Sequence, residues 1–283
     1  MISYLQAIVI GLLQGITELF PVSSLGHSVL LPALLGWHQV VASQSAQESF
    51  YLAFLVGLHV ATALALLWFY RDQWARILTG LLHSLRHRRI QTPDERLAWL
   101  LVVATIPAGL VGIAFEHALR TLFAKPLAAA VFLTCNGAIL LAGERYRRQE
   151  QPTRRSRALS TLAFPEALLI GATQILAFFA GISRSGVTMV AGLVRGLDHQ
   201  DAARFAFLLA TPIILAAGLY KLPDLLGPNG NGVGGQILAG SAAAGLAAYL
   251  SVRFLTRYFQ TRTLTPFAVY CLVVGVACII RFA

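Results

Sequence analysis

Long runs of apolar residues, separated by short polar connections, fill this chain from one end to the other. A helix that crosses a membrane needs roughly 20 mainly apolar residues. Six segments meet that requirement: 48–70, 97–116, 125–143, 202–220, 234–252 and 264–282. The pattern predicts an all-α polytopic membrane protein with six transmembrane helices.

Two other stretches, 1–36 and 162–200, are apolar but are interrupted near the middle by polar and helix-disrupting residues. Their halves are each only about 10–15 residues long, which is too short to cross a bilayer. We therefore expect each stretch to enter the membrane and return to the same side, as a re-entrant helix hairpin.

The charged residues orient these segments. Arginine is concentrated in three connections: 71–96, 144–160 and 253–262. The connections between them are poor in basic residues: 37–47, 117–124 and 221–233. Because basic loops stay in the cytoplasm, 1–36 should enter from outside and 162–200 from the cytoplasm. With 57% hydrophobic and 12% charged residues, the net charge of +10 indicates membrane topology and not nucleic-acid binding.

The two interrupted stretches also resemble each other. Four residues recur 160 positions later: Gly11, Gln14, Ser23 and Gly26 as Gly171, Gln174, Ser183 and Gly186. With opposite orientations this is an inverted-topology repeat, and its binding site is expected near the middle of the bilayer where the breaks meet. We predict one membrane domain, 1–283, with a first repeat at about 1–143 and a second at about 162–283, joined by a basic cytoplasmic linker at 144–161.

Ionisable residues inside membrane segments are costly, which makes them candidates for function. Glu18 is the clearest case, and Gln14 lies one helical turn before it on the same face. The alternative is a carboxylate that is simply wetted at the outer interface.

A helix start follows directly after Pro21. Ser23 and Ser24 can cap that helix, and Gly26 allows the backbone to approach closely. The free N–H groups of a helix start bind anions, and His27 lies within reach of them. The first interruption therefore predicts an anion site next to an acid and an imidazole.

The second interruption adds a permanent cation. Arg184 keeps its proton, and its planar fork matches the oxygens of a phosphate. Further donors flank it just before a helix: Ser183, Ser185 and Thr188, with Gly186 among them. A buried arginine needs an anion, which is either a bound phosphate or Glu18 in a structural ion pair.

The two motifs read QGITELFPVSSLGH at 14–27 and AGISRSGVT at 180–188. Both resemble the signatures of the bacterial undecaprenyl-diphosphate phosphatases of the bacitracin-resistance type, and the likeness extends to 203–212 and 265–270. The resemblance implies hydrolysis of the terminal phosphate of undecaprenyl diphosphate. That reaction recycles the lipid carrier of cell-wall synthesis and confers bacitracin resistance. This chain departs from the family at Ala180, where a proline is usual, so we expect a less rigid loop with activity retained.

The resemblance also implies residue roles. Glu18, His27 and Arg184 would be catalytic, and Ser24 would be a nucleophile or a binding hydroxyl. Gln14, at a position that is Glu or Gln in the family, can bind a metal or phosphate but cannot act as a base. The other substrate-binding candidates are Ser23, Gly26, Ser183, Ser185, Gly186 and Thr188.

A divalent cation, Mg²⁺ or Ca²⁺, is implied as cofactor, with Glu18 and Gln14 as its ligands. The expected partners are a polyprenyl diphosphate lipid and the bacterial inner membrane, without nucleic acid, while a homodimer is left open. The active site should face the periplasm, because the first motif enters from outside.

Two mechanisms and one competing function stay open at this point. Either Ser24 attacks phosphorus and His27 takes its proton, or His27 or Glu18 activates a water molecule. The competing function is transport of an anionic lipid, because inverted repeats with broken helices are the plan of secondary transporters.

Overall fold

The computed structural model describes residues 2–37, 40, 50–123, 125–150, 156–220 and 234–283, and no β-strand occurs within those ranges. The helices of the first half are α1 (Tyr4–Thr17), α2 (Ser24–Leu34), α3 (Phe50–Phe69), α4 (Arg71–His87), α5 (Pro93–Phe123) and α6 (Pro126–Glu150). Those of the second half are α7 (Phe164–Ala172), α8 (Arg184–Val194), α9 (His199–Tyr220), α10 (Gly234–Tyr258) and α11 (Thr265–Phe282). The prediction of an all-α multi-pass membrane protein is confirmed.

Five helices are long and apolar enough to cross a bilayer: α5, α6, α9, α10 and α11. A sixth span exists if α3 and α4 count as one unit, although they meet at an angle of 85°. The exact number of six spans therefore stays a prediction. Of the predicted outer connections, 221–233 and nearly all of 37–47 lie outside the described residues.

The basic connection at 71–96 is not a simple loop, because most of it forms α4. This helix buries Trp74 and Ile77 against the protein, while arginines occupy other positions along it. Apolar residues at helical spacing make such a segment amphipathic. The density of arginine concealed that spacing in the sequence.

Both interrupted stretches fold as pairs of short helices. The lengths are 14 and 11 residues for α1 and α2, and 9 and 11 residues for α7 and α8. At about 1.5 Å per residue, none of them reaches across the roughly 30 Å of a hydrocarbon core. The expected short halves are thus present, whereas their entry from opposite faces and the inverted repeat stay predictions.

The first helix of each interrupted stretch packs against a long helix of the other half of the chain. α1 packs along α10, and α7 packs along α5. A Cβ atom added to Gly11 would lie 2.2 Å from the carbonyl oxygen of Gly240, and one added to Gly171 would lie 2.0 Å from that of Ala104. Small residues allow such close contact between helices in a membrane. The first matched glycine of the predicted repeat therefore has the same packing role in both halves.

The structure describes both ends of the predicted linker at 144–161, and residues 151–155 lie outside the described ranges. Arg147 is buried, and its guanidinium donates to the Leu197 carbonyl at 2.8 Å and to Ser156 Oγ at 3.1 Å. Arg157 forms two hydrogen bonds, of 2.8 and 3.1 Å, with the carboxylate of Glu166 in α7. These arginines connect the linker to the first turn of α7 and to the residues that follow α8.

Candidate active site

A buried carboxylate lies where the two interruptions meet. Glu18 follows the last turn of α1, and only 7% of its surface is exposed. Its Oε2 accepts hydrogen bonds from Gln14 Nε2 at 2.9 Å and from Ser24 Oγ at 2.5 Å. Its Oε1 accepts one from Arg184 Nη2. The carboxylate therefore joins the first motif to the second.

Arg184 is the first residue of α8 and is paired on only one side. Nη2 donates to Glu18, whereas Nη1 is buried and has no hydrogen-bond partner among the described residues. The Glu18–Arg184 pair that the sequence offered as the structural alternative is thus present. Half of the guanidinium fork is left for another acceptor, and phosphate oxygens fit that fork.

Equivalent serines begin the second helix of each pair. Ser23 Oγ accepts from the Gly26 N–H at 3.2 Å, and Ser183 Oγ accepts from the Gly186 N–H at 3.1 Å. These are N-cap bonds, which satisfy one of the free donors of a helix start. Ser24, the other predicted cap, bonds to Glu18 instead.

The two interruptions touch through their backbones. The Gly181 N–H donates to Ser23 Oγ at 3.1 Å, and a Cβ atom added to Gly26 would lie 2.8 Å from the Gly181 Cα. Gly181 has a φ of 118°, a conformation that glycine adopts without strain. The close approach explains why glycine occupies both positions.

The hydroxyls of the second motif already have protein partners. Ser183 Oγ and Ser185 Oγ lie 3.1 Å apart, and Thr188 Oγ1 donates to the Arg184 carbonyl at 2.7 Å. In this arrangement they stabilise the start of α8 and do not all point to one ligand. Their predicted contacts with phosphate stay predictions.

His27 lies in α2, and both of its ring nitrogens are occupied. Nδ1 lies 2.7 Å from the Ser23 carbonyl oxygen, and Nε2 lies 2.8 Å from the hydroxyl of Tyr270. The ring stacks on that of Tyr270 with centroids 5.7 Å apart. No role for Tyr270 was predicted from the sequence, because tyrosines are common at the ends of membrane helices.

Asn136 in α6 is a second residue that sequence analysis missed. It is fully buried, its Nδ2 donates to the Pro21 carbonyl at 3.0 Å, and its Oδ1 accepts from the Ser183 N–H at 2.9 Å. One amide side chain thus ties the two turns together. The available signal was a lone asparagine within an apolar run.

His59 in α3 completes the surroundings of the carboxylate. Its Nε2 lies 3.5 Å from Glu18 Oε2, and its Nδ1 lies 2.8 Å from the Leu55 carbonyl. A lone histidine in an apolar segment is either a supporting residue of a site or an ordinary contact between helices. The position of His59 next to Glu18 supports the first interpretation.

The oxygen atoms of Glu18 and Gln14 are of the kind that binds Mg²⁺. Within the described ranges no three His, Cys, Asp or Glu side chains cluster as a metal site. Gln14 Oε1, however, is buried without a hydrogen-bond partner in the described structure, beside the carboxylate. Mg²⁺ is commonly held by one or two carboxylates together with substrate phosphates and carbonyl or water oxygens. Glu18 and Gln14 fit that arrangement.

Comparison with known proteins gives a consistent result along the whole chain. The family model of the bacitracin resistance protein BacA matches residues 7–277. Proteins named undecaprenyl-diphosphatase from Mycolicibacterium paratuberculosis and Mycobacterium avium are each 59% identical, over 100% of this chain and 98% of theirs. Undecaprenyl-diphosphatase 2 of Frankia alni is 56% identical, over 100% of this chain and 98% of its own length.

Proposed function

Because this chain belongs to the bacitracin resistance protein BacA family, we propose that it hydrolyses undecaprenyl diphosphate to undecaprenyl phosphate and inorganic phosphate. Relatives that are 56% and 59% identical over the whole chain carry the name of that activity. The product is a lipid carrier that cell-wall synthesis can use again, and its recycling would confer bacitracin resistance.

The half-paired guanidinium of Arg184 is the observation that carries this proposal. Nη2 keeps its bond to Glu18 while Nη1 donates to a phosphate oxygen, so the diphosphate docks beside the carboxylate. Phosphoryl transfer depends mainly on positioning and on stabilising charge. An arginine that is held by an acid and has one donor free supplies both.

Ser24 is the best-placed nucleophile. Its Oγ is 2.5 Å from Glu18 Oε2, whereas His27 Nε2 is held by Tyr270. Glu18 is therefore better placed than His27 to take the proton of Ser24. In this route Ser24 attacks the terminal phosphorus, the bond from phosphorus to the bridging oxygen breaks, and undecaprenyl phosphate leaves. Water, with acid–base help from His27, then hydrolyses the phosphoserine and frees phosphate.

Direct attack by water is the other route. A phosphorylated Ser24, trapped by rapid acid quench and located by mass spectrometry, is expected if the serine attacks. A Ser24→Ala variant that keeps its activity and incorporates heavy oxygen from water at the first turnover would rule the serine route out.

A divalent cation, Mg²⁺ or Ca²⁺, belongs to this proposal. Glu18 and Gln14 Oε1 would hold it, and it would neutralise charge on the diphosphate. The support is the buried amide oxygen of Gln14, which has no hydrogen-bond partner among the described residues and lies next to a carboxylate.

The proposed location is the bacterial inner membrane, with the site facing the periplasm and no role for nucleic acid. The support is the concentration of arginine in connections on one side of the predicted topology. Right-side-out vesicles should release phosphate from added short-chain prenyl diphosphate, and inverted vesicles should not. Release by inverted vesicles alone would reverse the orientation. A homodimer stays a prediction, which mass measurement in detergent would check.

Phosphate release by the detergent-purified protein separates an enzyme from a transporter. We expect release from a prenyl diphosphate, loss of release with a chelator, and loss in Arg184→Ala. No release by the wild type, together with lipid translocation in vesicles that Arg184→Ala abolishes, would establish the transporter instead.

A further inference from the structure

A tyrosine near the end of the chain holds the histidine of the first motif. Tyr270 in α11 is 243 residues from His27, yet its hydroxyl lies 2.8 Å from His27 Nε2. The two rings are nearly parallel, with an interplanar angle of 12° and centroids 5.7 Å apart. The Ser23 carbonyl oxygen lies 2.7 Å from the other ring nitrogen, Nδ1. The imidazole is thus fixed at both nitrogens and across one face.

These contacts determine which nitrogen carries the proton. A carbonyl oxygen only accepts hydrogen bonds, so Nδ1 of His27 must donate to Ser23. In the neutral ring, Nε2 is then an acceptor and takes the hydrogen of the Tyr270 hydroxyl. Nε2 is therefore the nitrogen that can gain a proton.

A hydroxyl is a suitable partner for a nitrogen that gains and loses a proton. When Nε2 is unprotonated, the Tyr270 hydroxyl donates to it, and when Nε2 is protonated, the hydroxyl oxygen accepts from it. A backbone carbonyl could bond only to the protonated state, and an ammonium group only to the unprotonated state. Nε2 exchanges its proton with water while the bond to Tyr270 is open. The bond then re-forms in the other direction, so Tyr270 returns the imidazole to the same place after each proton transfer.

We propose that Tyr270 is a positioning residue for His27, a role that rests on the proposed phosphatase activity. The hydroxyl fixes the orientation of the imidazole in both protonation states, and the ring limits its tilt. α11 packs along α6, the helix that carries Asn136 between the two interruptions. Tyr270, from α11, thereby keeps the imidazole of His27 in a fixed position relative to the other residues of the site.

Tyr270→Phe tests the hydroxyl alone, because phenylalanine keeps the stacked ring. We expect kcat to fall about tenfold, with KM nearly unchanged, because general acid–base help is worth roughly a hundredfold or more and positioning contributes part of it. Tyr270→Leu, which also removes the ring, should lose at least as much. Wild-type kcat in Tyr270→Phe, or a rise in KM alone, would overturn the proposal.

A double-mutant cycle separates this role from a purely structural one. In a His27→Ala background, Tyr270→Phe should change the residual rate by less than about twofold, because the two residues act as one unit. Single-turnover measurements with enzyme in excess make that low rate accessible. A full additional loss in this background would show that Tyr270 acts without His27 and would contradict the inference.

Tyr258→Phe is the matched control. The Tyr258 hydroxyl donates to the Thr263 carbonyl at 3.3 Å, which belongs to neither motif, so removal of the hydroxyl should leave kcat unchanged. Thermal unfolding in detergent should give the same midpoint for Tyr270→Phe and Tyr258→Phe. If the wild type releases no phosphate, the proposed function fails. If the wild type is active and Tyr270→Phe matches it, the role of Tyr270 alone fails.

Discussion

The two interruptions start their second helices alike but adopt different turns. Ser23 and Ser183 both cap through Oγ, yet φ is 71° at Ser23 and −88° at Ser183. The second turn has its positive φ at Gly181, which has no Cβ to strain. A positive φ at a serine is uncommon, and such strain is concentrated at functional sites. The first turn is therefore strained next to the carboxylate, and the second turn is relaxed.

The same comparison separates the residues that both interruptions share from those that differ. The shared residues, here called the frame, are Gly11, Gln14, Ser23 and Gly26 with their partners 160 positions later. At the spacing of 160 residues the matched positions include three pairs that differ: Glu18 and Phe178, Ser24 and Arg184, and His27 and Val187. The glycines, glutamines and serines of the frame are kept in both halves, whereas the reactive groups are not. The site is thus asymmetric, with acid, hydroxyl and imidazole in one half and the cation in the other.

The largest effect is expected at the acid. Glu18→Gln keeps the shape of the side chain but removes the charge that Arg184 and Ser24 share, so kcat should fall by about a thousandfold. Phe178→Leu, at the matched position of the second interruption, should leave kcat close to wild type. Steady-state phosphate release measures both. Equal losses in the two variants would show that the halves are not chemically distinct.

The next effect is expected at the amide that joins the halves. Asn136→Leu leaves the Pro21 carbonyl and the Ser183 N–H buried without this partner, at about 1–3 kcal/mol for each group. We expect a lower unfolding midpoint and a clear loss of kcat, because the two turns lose their register. Thr211→Val is the control, since in the described part of the chain that buried hydroxyl bonds within its own helix, to the Phe207 carbonyl at 3.3 Å. A stable and fully active Asn136→Leu would show that the turns do not need this link.

Substitution of the first matched glycine should lower the stability of the protein equally in both halves. Gly11→Ala and Gly171→Ala each place a methyl group within about 2 Å of a backbone oxygen, and overpacking of this kind costs roughly 1–3 kcal/mol. Thermal unfolding in detergent should therefore show similar losses. A large loss in one variant and none in the other would mean that the two helix contacts are not equivalent.

Local signals in the sequence were enough to predict the helices and caps around both interruptions. Runs of apolar residues located the spans, and serine before glycine located the starts of α2 and α8. The contact between Glu18 and Arg184 was also among the stated alternatives, because a buried arginine requires an anion. These features depend on neighbouring residues or on charge balance alone.

Contacts between distant helices could not be predicted in the same way. Asn136 and Tyr270 reach the site from α6 and α11, and their roles depend on how those helices pack. Ser23 likewise bonds to Gly181, which is 158 residues away. One sequence without tertiary information contains the residues but not their distances.

The matched glutamines give the finest test of the comparison. Gln14 donates to Glu18 at 2.9 Å, whereas Gln174 Nε2 lies 3.4 Å from the carbonyls of Ala104 and Gly171. Among the described residues, Oε1 has no hydrogen-bond partner in either glutamine. Gln14→Leu should lower kcat about tenfold and raise the Mg²⁺ concentration needed for half-maximal activity, because an orienting contact to the carboxylate and a candidate metal ligand are lost together. Gln174→Leu should leave both quantities unchanged, since its amide bonds in the described structure to helix carbonyls and to no carboxylate. A change in metal requirement in Gln174→Leu, or none in Gln14→Leu, would remove Gln14 from the proposed metal site, and the acid alone would then distinguish the first interruption from the second.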